Sequence, residues 1–287
     1  MKHYILLFLF STNYFFVQSQ NFHGKVVSSE DGSNLSYASI GVSNKPLGTV
    51  SNEDGYFTIS NDNIRIGDTL LVEHVGYLGR SIVITRENTL YGNLGIIYLS
   101  PKSTLLPSIE IEKNKLKGVV EKFGNGEDRK YNGGIGLGGV AKGQEIAIDI
   151  KTKNKKQVGI LKNVTIGIAT CNIPHKKFRL NIYGLDKNSK LSMLNEYPTY
   201  FTVLPEHEKI GITIDLIEQN IEIKESFIIA IQRLDEVSSA ESLDVTVFSS
   251  LGTQTKYPLL TRNGIGQKFG IANTRNTTIA VIAEVLY

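Results

Sequence analysis

Apolar and polar residues alternate over short runs along most of the chain, and glycine, asparagine or aspartate marks the breaks. From Phe22 to Leu99 the runs are Gly24–Val27, Tyr37–Val42, Tyr56–Ile59, Asp68–Val72, Arg80–Ile84 and Gly95–Leu99. A period of two is the pattern of a half-buried strand. Asp31–Asn34 and Asn52–Gly55 fall between runs, where Asp, Asn and Gly reach positive φ or bond their own backbone. Asp54-Gly55 before an apolar run predicts a hairpin. About seven short strands with such turns predict a β-sandwich.

From Gln144 to Tyr287 the runs lengthen. Ile146, Ile148 and Ile150 alternate with polar or small residues, Val158–Thr170 is apolar-rich, and Phe178, Leu180 and Ile182 alternate with Arg179, Asn181 and Tyr183. Ile210, Ile212 and Ile214 repeat the pattern, and Ser226–Ile231 is nearly continuous, as in a strand buried on both faces. Leu243–Phe248, Gln267–Ala272 and Thr277–Val285 complete eight strands. The expectation is an all-β chain, with a larger jelly-roll-like sandwich after the first. Between them, Pro101 and Pro107 bracket a short apolar step, and Ile109–Ile111 suggests a strand. Leu116, Val119, Val120 and Phe123 fall at helical spacing, with Lys113, Lys115, Lys117 and Lys122 around them. That predicts a short amphipathic helix docked on a neighbouring domain, weakened by about 1 kcal/mol at Gly118.

The expected organisation is therefore a leader at 1–19, a sandwich at 20–100, a junction at 101–143 and a second sandwich at 144–287. Met1-Lys2-His3 is basic, Ile5–Phe10 and Tyr14–Val17 are apolar, and Val17-Gln18-Ser19 fits a cleavage site after Ser19. No cysteine follows the apolar region, so a lipoprotein anchor is not expected. No later segment reaches the roughly 18 continuous apolar residues of a membrane helix. The expected location is periplasmic, or associated with the outer membrane or cell surface.

The series Gly24-Lys-Val, Leu35–Ile40, Gly48–Asn52, Asp54–Phe57, Asp68-Thr-Leu and Val75-Gly-Tyr77 resembles the carboxypeptidase-like regulatory domain. The resemblance covers about 80 residues in order and implies a seven-stranded, transthyretin-like sandwich. Such modules occur in exported bacterial proteins, often at the front of TonB-dependent receptors, and the name does not imply peptidase activity. Phe178–Tyr183 and Ile212–Leu216 also resemble the β domain that follows this module in some exported proteins of Bacteroidetes-type bacteria.

Composition narrows the function classes. The 287 residues allow two domains, and 41% hydrophobic with 21% charged residues is a globular balance. A net charge of +3 gives no reason to expect nucleic acid. The basic run Lys151–Lys156 lies between strand patterns and reads as a solvated turn. Cys171 is the sole cysteine, so no intramolecular disulfide forms.

A zinc carboxypeptidase needs imidazole and carboxylate ligands, beginning with His-x-x-Glu. His3, His23, His74, His175 and His207 all lack that partner, and no His-Glu-x-x-His occurs. Glu206-His207-Glu208 follows Pro205 and reads as an exposed loop. Glu73-His74 ends a strand, where neighbours point to opposite faces. Cys171 and His175 are separated by Pro174, which argues against a nucleophile–base pair. Gly134–Gly139 formally contains Gly-x-Gly-x-x-Gly but precedes a strand, so it reads as a mobile inter-domain loop. No Gly-x-Ser-x-Gly elbow is present. Paired acidic residues remain open, because their spacing is three-dimensional. Tryptophan is absent, although 13 tyrosines offer stacking faces.

No catalytic, metal or cofactor residue is singled out, no cofactor is expected, and ligand-binding residues are unknown. The reading is a non-enzymatic envelope accessory protein whose β modules bind a protein or glycan partner. Two alternatives stay open: a hydrolase with an acidic site in the second sandwich, and a soluble partner of a TonB-dependent uptake system. Mass spectrometry of the exported protein is expected to find Gln20 at its N-terminus; an intact Met1 contradicts the leader.

Overall fold

The computed structural model describes residues 21–60, 62–102, 118–125, 133–136, 140–152, 157–172, 174–185, 190–235, 245–251, 257–272 and 277–287. The leader, Leu116, the Ile109–Ile111 run and Gly138-Gly139 lie outside them.

The protein is all-β. Its first seven described strands are β1 (Phe22–Ser28), β2 (Ser39–Val42), β3 (Gly48–Val50), β4 (Tyr56–Ile59), β5 (Thr69–Glu73), β6 (Arg80–Val83) and β7 (Asn93–Leu99). They form two sheets, β4-β1-β7 and β3-β2-β5-β6. β1 and β7 run parallel, and the other pairs are antiparallel. In β4 the predicted alternation is literal: Phe57 and Ile59 are buried, Tyr56 and Thr58 exposed. Val26, Ile40, Phe57, Leu70 and Ile97 bring both sheets into one core.

The turn at Asp54-Gly55 does not make the expected hairpin, because β3 and β4 belong to different sheets. It carries the chain around a corner. The Gly55 carbonyl accepts from the Val26 N–H at 2.9 Å. At φ 82°, a Cβ on Gly55 would lie 2.5 Å from the Val26 oxygen, so glycine is what lets the corner close on β1.

The strand pairs of the second sandwich are antiparallel. Its described strands are β8 (Val120–Asn125), β9 (Gly133–Gly136), β10 (Glu145–Lys151), β11 (Gly159–Ile166), β12 (Ile168–Cys171), β13 (Lys177–Leu185), β14 (Leu191–Met193) and β15 (Thr199–Thr202). β16 (Ile212–Asp215), β17 (Glu222–Ile223), β18 (Ser226–Arg233), β19 (Val245–Leu251), β20 (Leu259–Arg262), β21 (Gly270–Ile271), β22 (Thr277–Ile279) and β23 (Val281–Leu286) follow. A seven-stranded sheet runs β14-β13-β18-β10-β20-β21, with β15 also on β13. A five-stranded sheet runs β16-β11-β23-β8 with β17 on β11, and a four-stranded sheet runs β12-β19-β22 with β9 on β19. Ile148, Phe178 and Ile229 of the large sheet meet Val164, Ile279, Val281 and Val285 of the other two in one core.

Two expectations at the junction are corrected. Val120–Asn125 is a strand, not the end of a helix, because it pairs with β23 from Val120↔Leu286 to Asn125↔Val281. Phe123 is thereby buried in the second core, while Val119 and Val120 stay exposed. Gly133–Gly136 is likewise a strand on β19 rather than a loop. Local helical spacing lost to the open edge of a sheet formed by distant residues. Among the described residues, no helix is long and apolar enough to cross a membrane.

The two sandwiches meet backbone to backbone. The β2–β3 hairpin lies on the loop after β20, where the Asn44 N–H donates to the Gly266 carbonyl at 2.8 Å. A Cβ on Gly48 would fall 2.5 Å from the Gly264 Cα, and one on Gly264 would fall 2.7 Å from the Gly48 Cα. Tyr37 and Val50 of the first sandwich pack with Leu234 of the second. Gly48→Ala is expected to lower the unfolding free energy by about 1–3 kcal/mol, the usual cost of overpacking. Urea denaturation measures this, and a change below the error of the fit contradicts close docking.

Candidate functional site

Strand β13 is buried on both faces. Phe178, Leu180 and Ile182 enter the core of the second sandwich, while Arg179, Asn181 and Tyr183 point to the opposite face and are also buried. The first sandwich covers that second face. There the ladder places Arg179 opposite Gln232, Gln232 opposite Glu145, and Glu145 opposite Arg262. One row of polar side chains thus crosses β13, β18, β10 and β20, each no more than 5% exposed.

Buried charges need partners, and Glu145 has them. Its Oε1 accepts from Asn181 at 2.5 Å and from the Tyr183 hydroxyl at 2.8 Å, and its Oε2 accepts from Arg262 Nε. Arg262 also donates to the Tyr183 oxygen at 2.6 Å and lies between two rings, 4.8 Å from the centroid of Tyr183 and 4.4 Å from that of Phe269. Burial works against the Arg262 charge, but Glu145 and Tyr183 hold it above the ordinary arginine value. Burial also pushes the Tyr183 phenol well above its usual range.

Arg179 differs. Its guanidinium donates to the Tyr37 carbonyl at 2.8 Å, the Ser39 hydroxyl at 2.7 Å and the Gln232 amide oxygen at 2.5 Å, and its Nε has no partner. Two of these acceptors belong to the first sandwich, so Arg179 spans the interface. Nearby, Lys177 reaches Glu53 at 2.8 Å and the Tyr37 hydroxyl at 2.9 Å. Those bonds raise the Lys177 pKa and lower that of the exposed Glu53.

Beside this docked patch the sandwiches diverge and leave a cleft with two adjoining lobes of about 270 and 850 Å³. Glu73, Tyr183, Lys190 and Ile265 line both lobes, so the two lie side by side along these residues. Arg179 and His74 line the smaller lobe; Arg80, Arg262, Lys268 and Phe269 line the larger. Glu73 and His74 were expected on opposite faces. They reach the same lobe because β5 ends at Glu73 and the chain turns at His74.

Glu73 is exposed, but the protein around its carboxyl partly desolvates it. That crowding raises its pKa despite the nearby Arg262, Lys102 and Lys190 charges. His74 is held by two carbonyls, with Nδ1 2.8 Å from Val75 O and Nε2 3.1 Å from Ser36 O. Both contacts favour a charged ring, but burial and the Arg179 charge win and bring its pKa down to about 4. Neutral imidazole is therefore the form present at neutral pH.

The other sequence candidates are scattered. His207 ends a 3-10 turn, and its Nδ1 accepts from the Leu204 N–H at 2.9 Å. Glu208 accepts from the Cys171 N–H at 2.7 Å, and Glu206 is exposed. Cys171 is buried with its thiol donating to the Val203 carbonyl at 3.6 Å, while His175 sits in an exposed turn at φ 67°. Among the described residues, no group of three or more His, Cys, Asp or Glu is placed to hold a metal.

Residues 22–109 match the family model described as the CarboxypepD_reg-like domain. The first sandwich is similar to that family throughout. The resemblance carried by Gly24 to Tyr77 thus falls within the matched residues. No curated protein matches the chain. Among solved structures, one match comes from work titled "Structural basis for the promiscuous specificity of the carbohydrate-binding modules from the beta-sandwich super family". It is 14% identical, with a TM-score of 0.19, over 73% of this chain and 82% of that one.

The buried pair gives a direct test of the interface between the CarboxypepD_reg-like sandwich and its neighbour. Arg262→Met strands Glu145 without its cation and is expected to cost roughly 3–5 kcal/mol in urea denaturation. Adding Glu145→Leu is expected to recover most of that loss. A double variant no more stable than Arg262→Met contradicts the pairing.

Proposed function

We propose that this chain is a non-enzymatic, exported accessory protein of the cell envelope, whose two sandwiches act as one binding module for a protein or glycan partner. The ligand sits in the cleft between them. What carries this reading is that the cleft walls come from both sandwiches, which the Arg179 bridge and the Gly48–Gly264 contact hold together. Binding pockets commonly lie at such domain boundaries, with volumes of roughly 300–1,000 Å³. Export rests on the leader pattern at residues 1–19.

The hydrolase alternative needs two working carboxylates. Glu73 is the acid among the described lining residues, and Glu145, buried behind Tyr183 and Arg262, is engaged by them and by Asn181. One carboxylate beside a neutral histidine suits recognition better than glycoside cleavage.

The test is a thermal-shift screen of envelope glycans and peptides against the wild type and Leu191→Trp, which fills the groove. Ligands are expected to raise the wild-type midpoint and to leave the variant unmoved. Equal shifts in both proteins place the site elsewhere. Turnover of a glycan that Glu73→Gln abolishes replaces the binding reading with the enzymatic one.

A further inference from the structure

The cleft carries cations that the fold itself leaves without counter-charges. Arg80, Arg179 and Lys268 all line it, and none has a carboxylate within ion-pair distance among the described residues. Arg80 is exposed and reaches a carbonyl, that of Tyr98, at 3.4 Å. Lys268 is exposed and makes no hydrogen bond among the described residues. Arg179 is 2% exposed, bonded only to neutral acceptors, with its Nε unsatisfied. Burying a guanidinium without a carboxylate is unfavourable. Arg179 bridges the sandwiches through neutral acceptors, so among the described residues its charge is left without a counter-ion beside the cleft.

The remaining lining is mixed. Phe269 and Ile265 present apolar surface, and Ser81 and Gln267 present hydroxyl and amide groups. The floor is the outer face of the seven-stranded sheet, so its groups are side chains pointing up at a ligand. Taking an extended peptide relies instead on an open strand edge and its unpaired backbone. Polyhydroxylated rings have apolar faces and hydroxyl edges, which suits apolar surface interleaved with short polar groups.

We propose that the cleft binds an acidic saccharide, with its carboxylate beside Arg80, Arg179 and Lys268 and its ring against Ile265 and Phe269. The proposal rests on the cleft being the ligand site, as inferred above. Cations there attract the carboxylate and select against neutral sugars.

Glu73 makes binding pH-dependent. Arg262, Lys102 and Lys190 face its carboxyl as cations, from β20, the exit of β7 and the entrance to β14; Glu145 faces it from β10 as a like charge. A ligand carboxylate adds a further negative charge, which favours protonated Glu73. Binding therefore takes up a proton, and affinity rises as pH falls through the raised Glu73 value.

The experiment is isothermal titration of the full chain with trimeric galacturonate, with its neutral galactose counterpart and with tetraglutamate, each at low and high salt. The acidic sugar is expected to bind, more weakly in high salt, while the neutral sugar does not. The double variant Arg80→Gln/Lys268→Gln, altered at two exposed positions, is expected to bind roughly tenfold more weakly. Wild-type affinity is expected to fall as pH rises through the raised Glu73 value, above the range in which uronates ionise. Glu73→Gln is expected to abolish that fall.

Equal binding of the two sugars, binding of neither, tighter binding of tetraglutamate, or an unchanged pH profile in Glu73→Gln overturns the proposal. Neutral-sugar binding that Leu191→Trp abolishes keeps the cleft as the ligand site and removes only the acidic class. Binding of either sugar that survives Leu191→Trp removes the cleft reading as well.

Discussion

Glu145 and Arg262 form an ion pair with almost no access to water, on the outer face of a sheet. That face would meet solvent in an isolated sandwich. Here it lies under a second domain, and the consequence is a strict requirement for partners. Glu145 takes three donors, Gln232 bridges to Ser39 and the Gly143 carbonyl, and Arg179 reaches across to Tyr37 and Ser39. Hydrogen bonds of this kind are directional, so the row does more than hold the sandwiches together. It sets their register.

Apolar contact at the interface is small beside the two cores. Among the described residues it includes Tyr37, Val50 and Leu234, while Ala147, Tyr183 and Ala230 cluster separately on the outer face of the large sheet. Close backbone approach completes the contact. Gly143, at φ 82°, is as tightly placed as Gly48, since a Cβ there would lie 2.7 Å from the Thr49 Cα. A rigid joint of this type lets two sandwiches share one groove whose width does not depend on a flexible linker. Glu73 and His74 come from one wall, Lys190 and Phe269 from the other, and charges on both walls shape the ionisation of Glu73. Arg179, across the groove, does the same for His74.

Much of the strand pattern was legible because period-two alternation reports directly on one buried face. Phe57 and Ile59, or Ile146, Ile148 and Ile150, behave as their spacing says. The errors share a cause. Val119, Val120 and Phe123 fit a helix locally, but the edge offered by β23 decides their conformation, and β23 lies more than 150 residues later. Asp54-Gly55 has hairpin chemistry, but β1 holds the turn at a corner between sheets. The candidate site was less legible still. Arg179, Asn181 and Tyr183 have the spacing of a solvated face, and nothing local marks them as buried. The available signal was the near-continuous apolar run of β18, which implied that this sheet is covered on both faces.

The sequence by itself determined an all-β chain, a first sandwich like the CarboxypepD_reg-like domain, and the residue types at each strand position. Those are properties of neighbours along the chain, set by side-chain alternation and turn chemistry. Tertiary structure alone decided that Arg179, Gln232, Glu145 and Arg262 form one row, and that Glu73 and His74 share a lobe with residues more than 100 positions away. The physical reason is that docking follows from burial and hydrogen-bond completion between surfaces. Those surfaces exist only after each sandwich has folded.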